Sequence, residues 1–482
     1  MSDPSQSPTQ IPDTPPLACP GGLSNKWKNR LSRFSPWLFV LIMTLESFTL
    51  FFTRTDEYPY GAIAGSDGQC YYAFLRSLWI DHDLNFENEF GELNYLGHGR
   101  DTLLNFPRSP HTGLLFNRFR IGFALLHVPF FALAHGTTVL GNKLGIWRIA
   151  ADGYSLPYQF AVLIGAIFWG TCAFESTRRL LNRFFSTGLA SLATFLFFLA
   201  FQGVFQIIHF PCNPHLQSLF VFNLILILGF RIEDRRDNLF TWMTLGFLIG
   251  LLTLLRIECA VLMTYLIPLF FWKAMTRENA TIAQSNNRLF SHMVLLSASA
   301  GVFVLVSSLQ LVPWYFIWGK LPSGEIDYYG GGFNWTHPVF FSVLFSTCHG
   351  LFYWTPIALL GLGGFLLFVF SPRAGIGIRS ACVPLLVLYY VYAAWKVWWM
   401  GYSFGARQFI VVSGLFALGF GFLLERFKKQ RSLLIAISLL LIFWNHVMMY
   451  FFLNGHVPRT DVFHPLLPFS KFLELSKRLF DL

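Results

Sequence analysis

Uncharged, mostly apolar runs close to the about 20 residues that a helix needs to cross a bilayer recur along this 482-residue chain. They fall near 36–53, 158–177, 186–203, 214–230, 238–255, 259–275, 290–312, 353–371, 380–395, 407–424 and 432–450. Backbone in hydrocarbon must satisfy its own hydrogen bonds, so each run reads as a helix. The fold class is therefore an all-α polytopic membrane protein with about 11 transmembrane helices. Charged residues make up 12% of the chain, about half the ~25% of a soluble domain, which excludes a soluble globular protein. The eleven spans use roughly 220 residues, leaving about half the chain for loops and tails.

Sidedness follows from lysine and arginine. Residues 1–35, rich in Ser, Pro, Thr and Gln and closed by Lys26, Lys28, Arg30 and Arg33, read as a disordered cytoplasmic arm. The segment 121–140 is also long and apolar enough to span. If it stays on the outer side, the short inner loops hold Arg178, Arg179, Arg183, Arg231, Arg235, Arg236, Lys273, Arg277, Arg288, Arg373, Arg379, Arg426, Lys428, Lys429 and Arg431. The short outer loops then hold only Arg256, Lys320, Lys396 and Arg407. If it spans, that fifteen-to-four ratio inverts, against the retention of basic residues inside. We therefore read 121–140, with its His127, Pro129 and His135, as a re-entrant or interfacial helix. The net charge of +10 is the same retention, and no nucleic-acid partner is expected. The organisation expected is an arm over 1–35, a transmembrane domain over 36–450 with a first outer loop at 54–157, and a short outer tail at 451–482. No internal repeat is visible. The seven cysteines, at 19, 70, 172, 212, 259, 348 and 382, lack metal or disulfide spacing and read as small apolar residues.

In the first outer loop Tyr71, Phe74, Leu75, Leu78 and Trp79 recur at helical spacing and predict a short amphipathic helix. Ser66 with Gln69 predicts a capping box, which puts Asp67 in the first turn. A carboxylate there complements the helix dipole, contributing about 0.3–1 kcal/mol. That structural reading stands beside a catalytic one. Asp81-His82-Asp83 offers two carboxylates to a hard metal, and equally reads as solvated loop acids.

The spacing Asp67-x3-Tyr71-x4-Arg76-x6-Asp83, directly after the first span, resembles the first outer loop of C-type glycosyltransferases. The closer likeness is to protein O-mannosyltransferases and bacterial aminoarabinose transferases. Gly68 stands where those proteins commonly carry a second acid. Asn117-Arg118-Phe119-Arg120, Ser346 to Pro356 and Trp398 to Arg407 resemble further elements of the same superfamily, in the same order. The resemblance implies transfer of a sugar from a polyprenyl-phosphate donor to a hydroxyl of a glycan, lipid or protein acceptor on the outer face. It implies Asp67 as general base, because a hydroxyl nucleophile needs a carboxylate within reach. It also implies cations at the departing phosphate, a divalent metal being a further option.

Arg256 and Arg407, at the outer ends of predicted spans, suit phosphate, which a guanidinium grips bidentately. Lys396 lies in an aromatic belt with Trp395, Trp398, Trp399 and Tyr402. All three equally fit snorkelling to the interface. Arg76 is open between an ion pair with Asp83 and a substrate contact. Glu325 and Asp327 read as solvated, His209 to His215 as a polar turn, and Asn334-Trp335-Thr336 as a glycosylation sequon if the source is eukaryotic. A bacterial cytoplasmic membrane fits better than endoplasmic reticulum. The competing class is a transporter or flippase, in which the same arginines contact cargo. Charge buried mid-span would favour it, and the predicted spans carry little.

The charge ratio makes a prediction. A reporter fused after Arg183 should be cytoplasmic and one after Gly324 external. Both on the reversed sides would mean that 121–140 crosses the bilayer.

Overall fold

The structure is a computed structural model that describes residues 25–53, 61–63, 66–93, 104–275, 282–321 and 332–480. Most of the arm over 1–35, Ser66's side chain, Glu325 and Asp327 lie outside the described residues. Every predicted span is helical. The chain runs through α1 (Asn25–Thr53), α2 (Ser66–Arg76), α3 (Glu87–Leu93), α4 (Gly122–Lys143), α5 (Leu156–Asn182), α6 (Thr187–Leu199) and α7 (Gly203–Ile208). Then come α8 (His215–Glu233), α9 (Leu239–Leu255), a 3-10 stretch Ile257–Tyr265, α10 (Leu266–Met275), α11 (Ile282–Ser308) and α12 (Leu311–Trp318). The last part holds α13 (Phe340–Phe345), α14 (Leu351–Trp354), α15 (Ile357–Val369), α16 (Ile376–Arg379), α17 (Cys382–Ala394), a 3-10 turn Arg407–Val412, α18 (Ser413–Arg426), α19 (Arg431–Leu453) and α20 (Leu467–Phe480). Among the described residues nine helices are long and apolar enough to cross a membrane, and Thr187–Leu199, Leu239–Leu255 and Ile357–Val369 are shorter apolar helices. The chain is a multi-pass membrane protein.

Two hydrophobic cores result. One fills the bundle, and the second gathers mainly residues between α1 and α5 with Cys212, Trp314 and Trp318; in it Tyr72, Phe74, Phe86, Phe90, Phe116 and Phe123 are fully buried. The helix α4 is long enough to cross, yet it packs along α2, Tyr71 meeting Phe123 and Tyr72 meeting Phe131. The chain before it is tied to α2 by Asn117 donating to the Cys70 carbonyl (2.8 Å), and the chain after it by Arg76 donating to the Asp152 carbonyl (2.9 Å).

Three features depart from the sequence reading. The expected amphipathic stripe holds for Tyr71, Phe74 and Leu75, which are buried, but Leu78 and Trp79 are 43% and 36% exposed. A π-helical turn at Ser77–Asp81 adds a residue to the turn and rotates them off the core face. The tail beyond α19 folds back as a strap over 454–466 followed by α20, with Thr347 donating to the Phe463 carbonyl (2.9 Å) and Tyr353 to the Pro465 carbonyl (2.7 Å). The spans also hold a carboxylate–imidazole contact, Glu46 of α1 and His446 of α19, 3.6 Å apart.

Helices approach closely where both lack side chains, as expected when packing rather than water drives association. A Cβ on Gly419 of α18 would overlap the Gly361 carbonyl oxygen of α15, and one on Gly364 the Gly419 carbonyl oxygen, whereas Gly363 on the same helix faces open space. Gly419→Ala should therefore destabilise by about 1–3 kcal/mol through overpacking, and Gly363→Ala should be neutral or slightly stabilising. Thermal unfolding in detergent checks the contrast.

Candidate active site

The start of α2, the start of α8, the end of α9 and the turn before α18 meet in one polar cluster. Asp67, in the first turn of α2, forms an ion pair with Arg407, which opens the turn before α18 and lies 340 residues away in sequence. Arg407 also donates to the Met400 carbonyl (3.3 Å) and keeps a buried Nε with no partner. Arg256, at the end of α9, is 4% exposed; it pairs with Glu258 and hydrogen-bonds His215 Nδ1 at 2.8 Å. Tyr71 lies one helical turn beyond Asp67, and its phenol feels the charges of Arg256, Asp67, Glu258 and Arg407. Burial pushes that phenol up, so Tyr71 is a neutral hydroxyl. His349 completes the set within reach of the Arg407 charge; burial drives its imidazole down to about 4, so it too is neutral at pH 7.

Local backbone explains why these groups converge. Gly68 is buried, and a Cβ there would lie 2.9 Å from Cys212 Cβ. The second acid of the resembled pattern thus has no room. Met400, Gly401 and Gly405 have positive φ, which folds the 398–407 loop back so that the Met400 carbonyl faces Arg407. At Gly405 a Cβ would sit 2.5 Å from Gln202 Oε1, and Gln202 in turn donates to the Ala406 carbonyl (2.6 Å). His349 adopts the left-handed conformation at φ 61°, sparsely populated for a side chain of its size. It is held by stacking on Trp354 and by a 2.7 Å hydrogen bond between Nε2 and the Arg459 carbonyl.

Of the residues singled out in the sequence, the structure brings together Asp67, Tyr71, Arg256 and Arg407. Arg76 does not join them. It pairs with Asp81 and Glu89, not with Asp83, and lies over the Tyr154 ring. Asp83 accepts from Ser77 Oγ (2.9 Å) and caps the Asn85 N–H, the work of a turn residue. Asp81 is occupied by Arg76 and Asn88, and among the described residues no group of three His, Cys, Asp or Glu could hold a metal. Lys396 is exposed, its backbone N–H bonded to the Gly332 carbonyl. The His209 to His215 turn, read as a connector, is the floor of the site, Cys212 packing on Gly68 and His215 on Arg256. His215, Glu258 and His349 were missed. The available signal was two histidines and an asparagine in a proline-bounded turn between apolar helices. Asn334 of the sequon is exposed.

No protein-family model matches the chain, and no curated protein matches it in sequence. Among solved structures, the apo oligosaccharyltransferase of Archaeoglobus fulgidus aligns at 15% identity and a TM-score of 0.48, over 90% of this chain and 56% of its own. The oligosaccharyltransferase AglB of the same organism, in complex with an inhibitory peptide and a dolichol-phosphate, aligns at 12% identity and 0.48, over 90% and 57%. This chain spans little more than half the length of these proteins. Similarity of that degree assigns no activity, and the chemistry is read from the residues.

Below the cluster, the Arg76 node generates a test. Glu89 is fully buried, with one oxygen on Arg76 (2.8 Å) and the other without a partner. Burial pushes its carboxyl up to about 8, against 4.5 in a free chain. Between those values the folded state holds a proton that the unfolded state has released, so stability falls as pH rises through that window. Glu89→Gln should flatten this dependence and exceed the wild type in melting temperature at the alkaline end, as read by thermal unfolding from pH 5 to 9.

Proposed function

We propose that the chain is an integral-membrane glycosyltransferase that passes a sugar from a polyprenyl-phosphate donor to a hydroxyl acceptor on the outer face. The observation that carries this reading is the meeting of Asp67 with Arg407 beside the Arg256–Glu258–His215 group: two carboxylates and two guanidiniums in one small cluster around Tyr71 at the ends of apolar helices. The whole first outer loop, α4 included, belongs to the outer side on this reading, supported by the ties of both α4 flanks to α2.

The chemistry balances as follows. Asp67 accepts the proton of the acceptor hydroxyl as its oxygen bonds to the anomeric carbon, and the carbon–oxygen bond to the phosphate breaks with its electron pair going to the phosphate oxygen. Arg407 and Arg256 stabilise that growing charge with charge-assisted hydrogen bonds. In the resting cluster Asp67 and Arg407 neutralise each other. A donor phosphate that takes Arg407 leaves Asp67 unpaired, so donor binding readies the base. Neutral Tyr71 and His349 are hydrogen-bonding groups for sugar hydroxyls. The polyprenyl chain lies in the bilayer, and the acceptor approaches from outside.

The test is single-turnover sugar transfer beside thermal unfolding of the same preparation, with the donor identified by mass spectrometry of co-purified lipid. Asp67→Asn keeps the shape and an oxygen acceptor but cannot take the proton, so transfer should fall by ~10²–10⁴-fold with little loss of stability. Arg407→Ala should weaken donor binding by about tenfold or more, and Arg407→Lys should restore only part of it. Near-wild-type transfer by Asp67→Asn would remove Asp67 as the base.

A further inference from the structure

The outer loop carries one half-buried arginine that neither the fold nor the chemistry above uses. Arg76, Arg108, Arg256 and Arg407 are each committed to carboxylates. Among the described residues Arg118 has no hydrogen-bond acceptor and no carboxylate; its partners are two rings, with its guanidinium 5.4 Å from the centroid of Phe106 and 5.5 Å from that of Phe119. Stacking of this kind fixes a guanidinium while leaving its in-plane N–H donors available. A cation held in this way without a counter-ion is preorganised for an anion.

Its place is set by its two neighbours in the chain, both of which are fixed against α2. Asn117 is fully buried and donates to the Cys70 carbonyl (2.8 Å), while the Phe119 N–H donates to Asn117 Oδ1 (3.1 Å). The Phe119 ring meets Tyr71 edge-on at 5.0 Å. Burial and the Asp67 charge push the Cys70 thiol up while the Arg118 charge pulls it down, so both charges reach one sulfur atom. Arg118 therefore flanks the first turns of α2 alongside Asp67, whereas Arg256 and Arg407 approach through His215, Glu258 and the 398–407 loop.

Resting on the assignment of Asp67 as the base, we propose that Arg118 is an anion subsite for the acceptor, gripping a phosphate or carboxylate of the acceptor molecule while Asp67 takes its hydroxyl proton. The acceptor class is then an anionic hydroxyl compound, with the donor phosphate served by a separate pair of arginines.

The experiment uses the full chain in phosphatidylcholine nanodiscs. Glycerol phosphate is titrated as the anionic hydroxyl probe and glycerol as its neutral twin, binding being read from the rise in melting temperature. The Arg407→Ala background weakens phosphate binding at the donor pair, so that the Arg118 contribution is read as the difference between variants in that background. In that background glycerol phosphate should still stabilise the protein and glycerol should not. Adding Arg118→Gln should raise the concentration needed by about tenfold or more, and Arg118→Lys should fall between, because charge is kept and the stacked fork is lost. An unchanged response with Arg118→Gln overturns the proposal, and so does a response absent from Arg407→Ala alone. A second set of nanodiscs contains phosphatidylglycerol. Loss of the probe response there would give Arg118 to a lipid headgroup and overturn the acceptor assignment; an undiminished response supports it. The readout is binding without turnover, so failure of Asp67→Asn to slow transfer would remove the base and leave the Arg118 result to be judged separately.

Discussion

The ion pair between Asp67 and Arg407 joins the segment between α1 and α5 to the bundle, and much of the local structure is needed to make it possible. Each charge is partly withdrawn from water, with side-chain exposures of 30% and 10%, and each offsets part of the other's desolvation. The carboxylate is delivered by α2, which approaches the 209–215 turn closely because residue 68 lacks a side chain. The guanidinium is delivered by a loop whose left-handed Met400, Gly401 and Gly405 let it double back beneath Gln202. Bulk at position 68 or 405 would separate the pair without touching either charge.

The strap after α19 acts on the same cluster from the other side. Cys348, His349 and Thr347 bind the carbonyls of Thr460, Arg459 and Phe463, which holds His349 in its left-handed conformation against Trp354. Arg459 itself is fastened to the Phe452 carbonyl (2.7 Å) and lies over Tyr402. The 398–407 loop, the 346–350 turn and the strap thus form one unit at the end of the bundle that holds Asp67 and Arg407. The two segments that position Arg407 and His349 are therefore braced together.

The helices were legible because hydrocarbon allows the backbone so few solutions that apolar run length alone identifies them. Arg256 and Arg407 were singled out because cations are scarce in the short loops on that side, and Asp67 because its spacing to Tyr71, Arg76 and Asp83 resembles a family pattern. His215, Glu258 and His349 were not, since their roles come from contacts between segments distant in sequence, and only the histidines and prolines of the 209–215 turn hinted at one of them. Arg76 shows the opposite failure. Its spacing to Asp83 fitted a motif, but the π-helical turn at Ser77–Asp81 places Asp81 rather than Asp83 beside it and brings Glu89 in from α3. A one-residue change in helical register is invisible to spacing arguments and decides which acid an arginine meets.

Gly68 has a chemical consequence as well as a steric one. Two acids at positions 67 and 68 would supply a carboxylate for the acceptor and another for a cation at the phosphate. Here the contact with Cys212 leaves no room for the second, and the remaining acid near the phosphate side, Glu258, is engaged by Arg256. On the proposed reading, charge on the leaving phosphate falls to guanidiniums, which arrive already fixed: Arg256 by Glu258 and His215, Arg407 by Asp67 and the Met400 carbonyl. The Asp67 contact is the one the reaction must break, since a carboxylate paired to a cation is a poorer base. The phosphate provides the means, as it competes for Arg407 with an oxygen of the same charge type. Base strength at Asp67 and phosphate occupancy at Arg407 are then two readings of a single equilibrium, and a site with one carboxylate can order its two substrates without a moving lid.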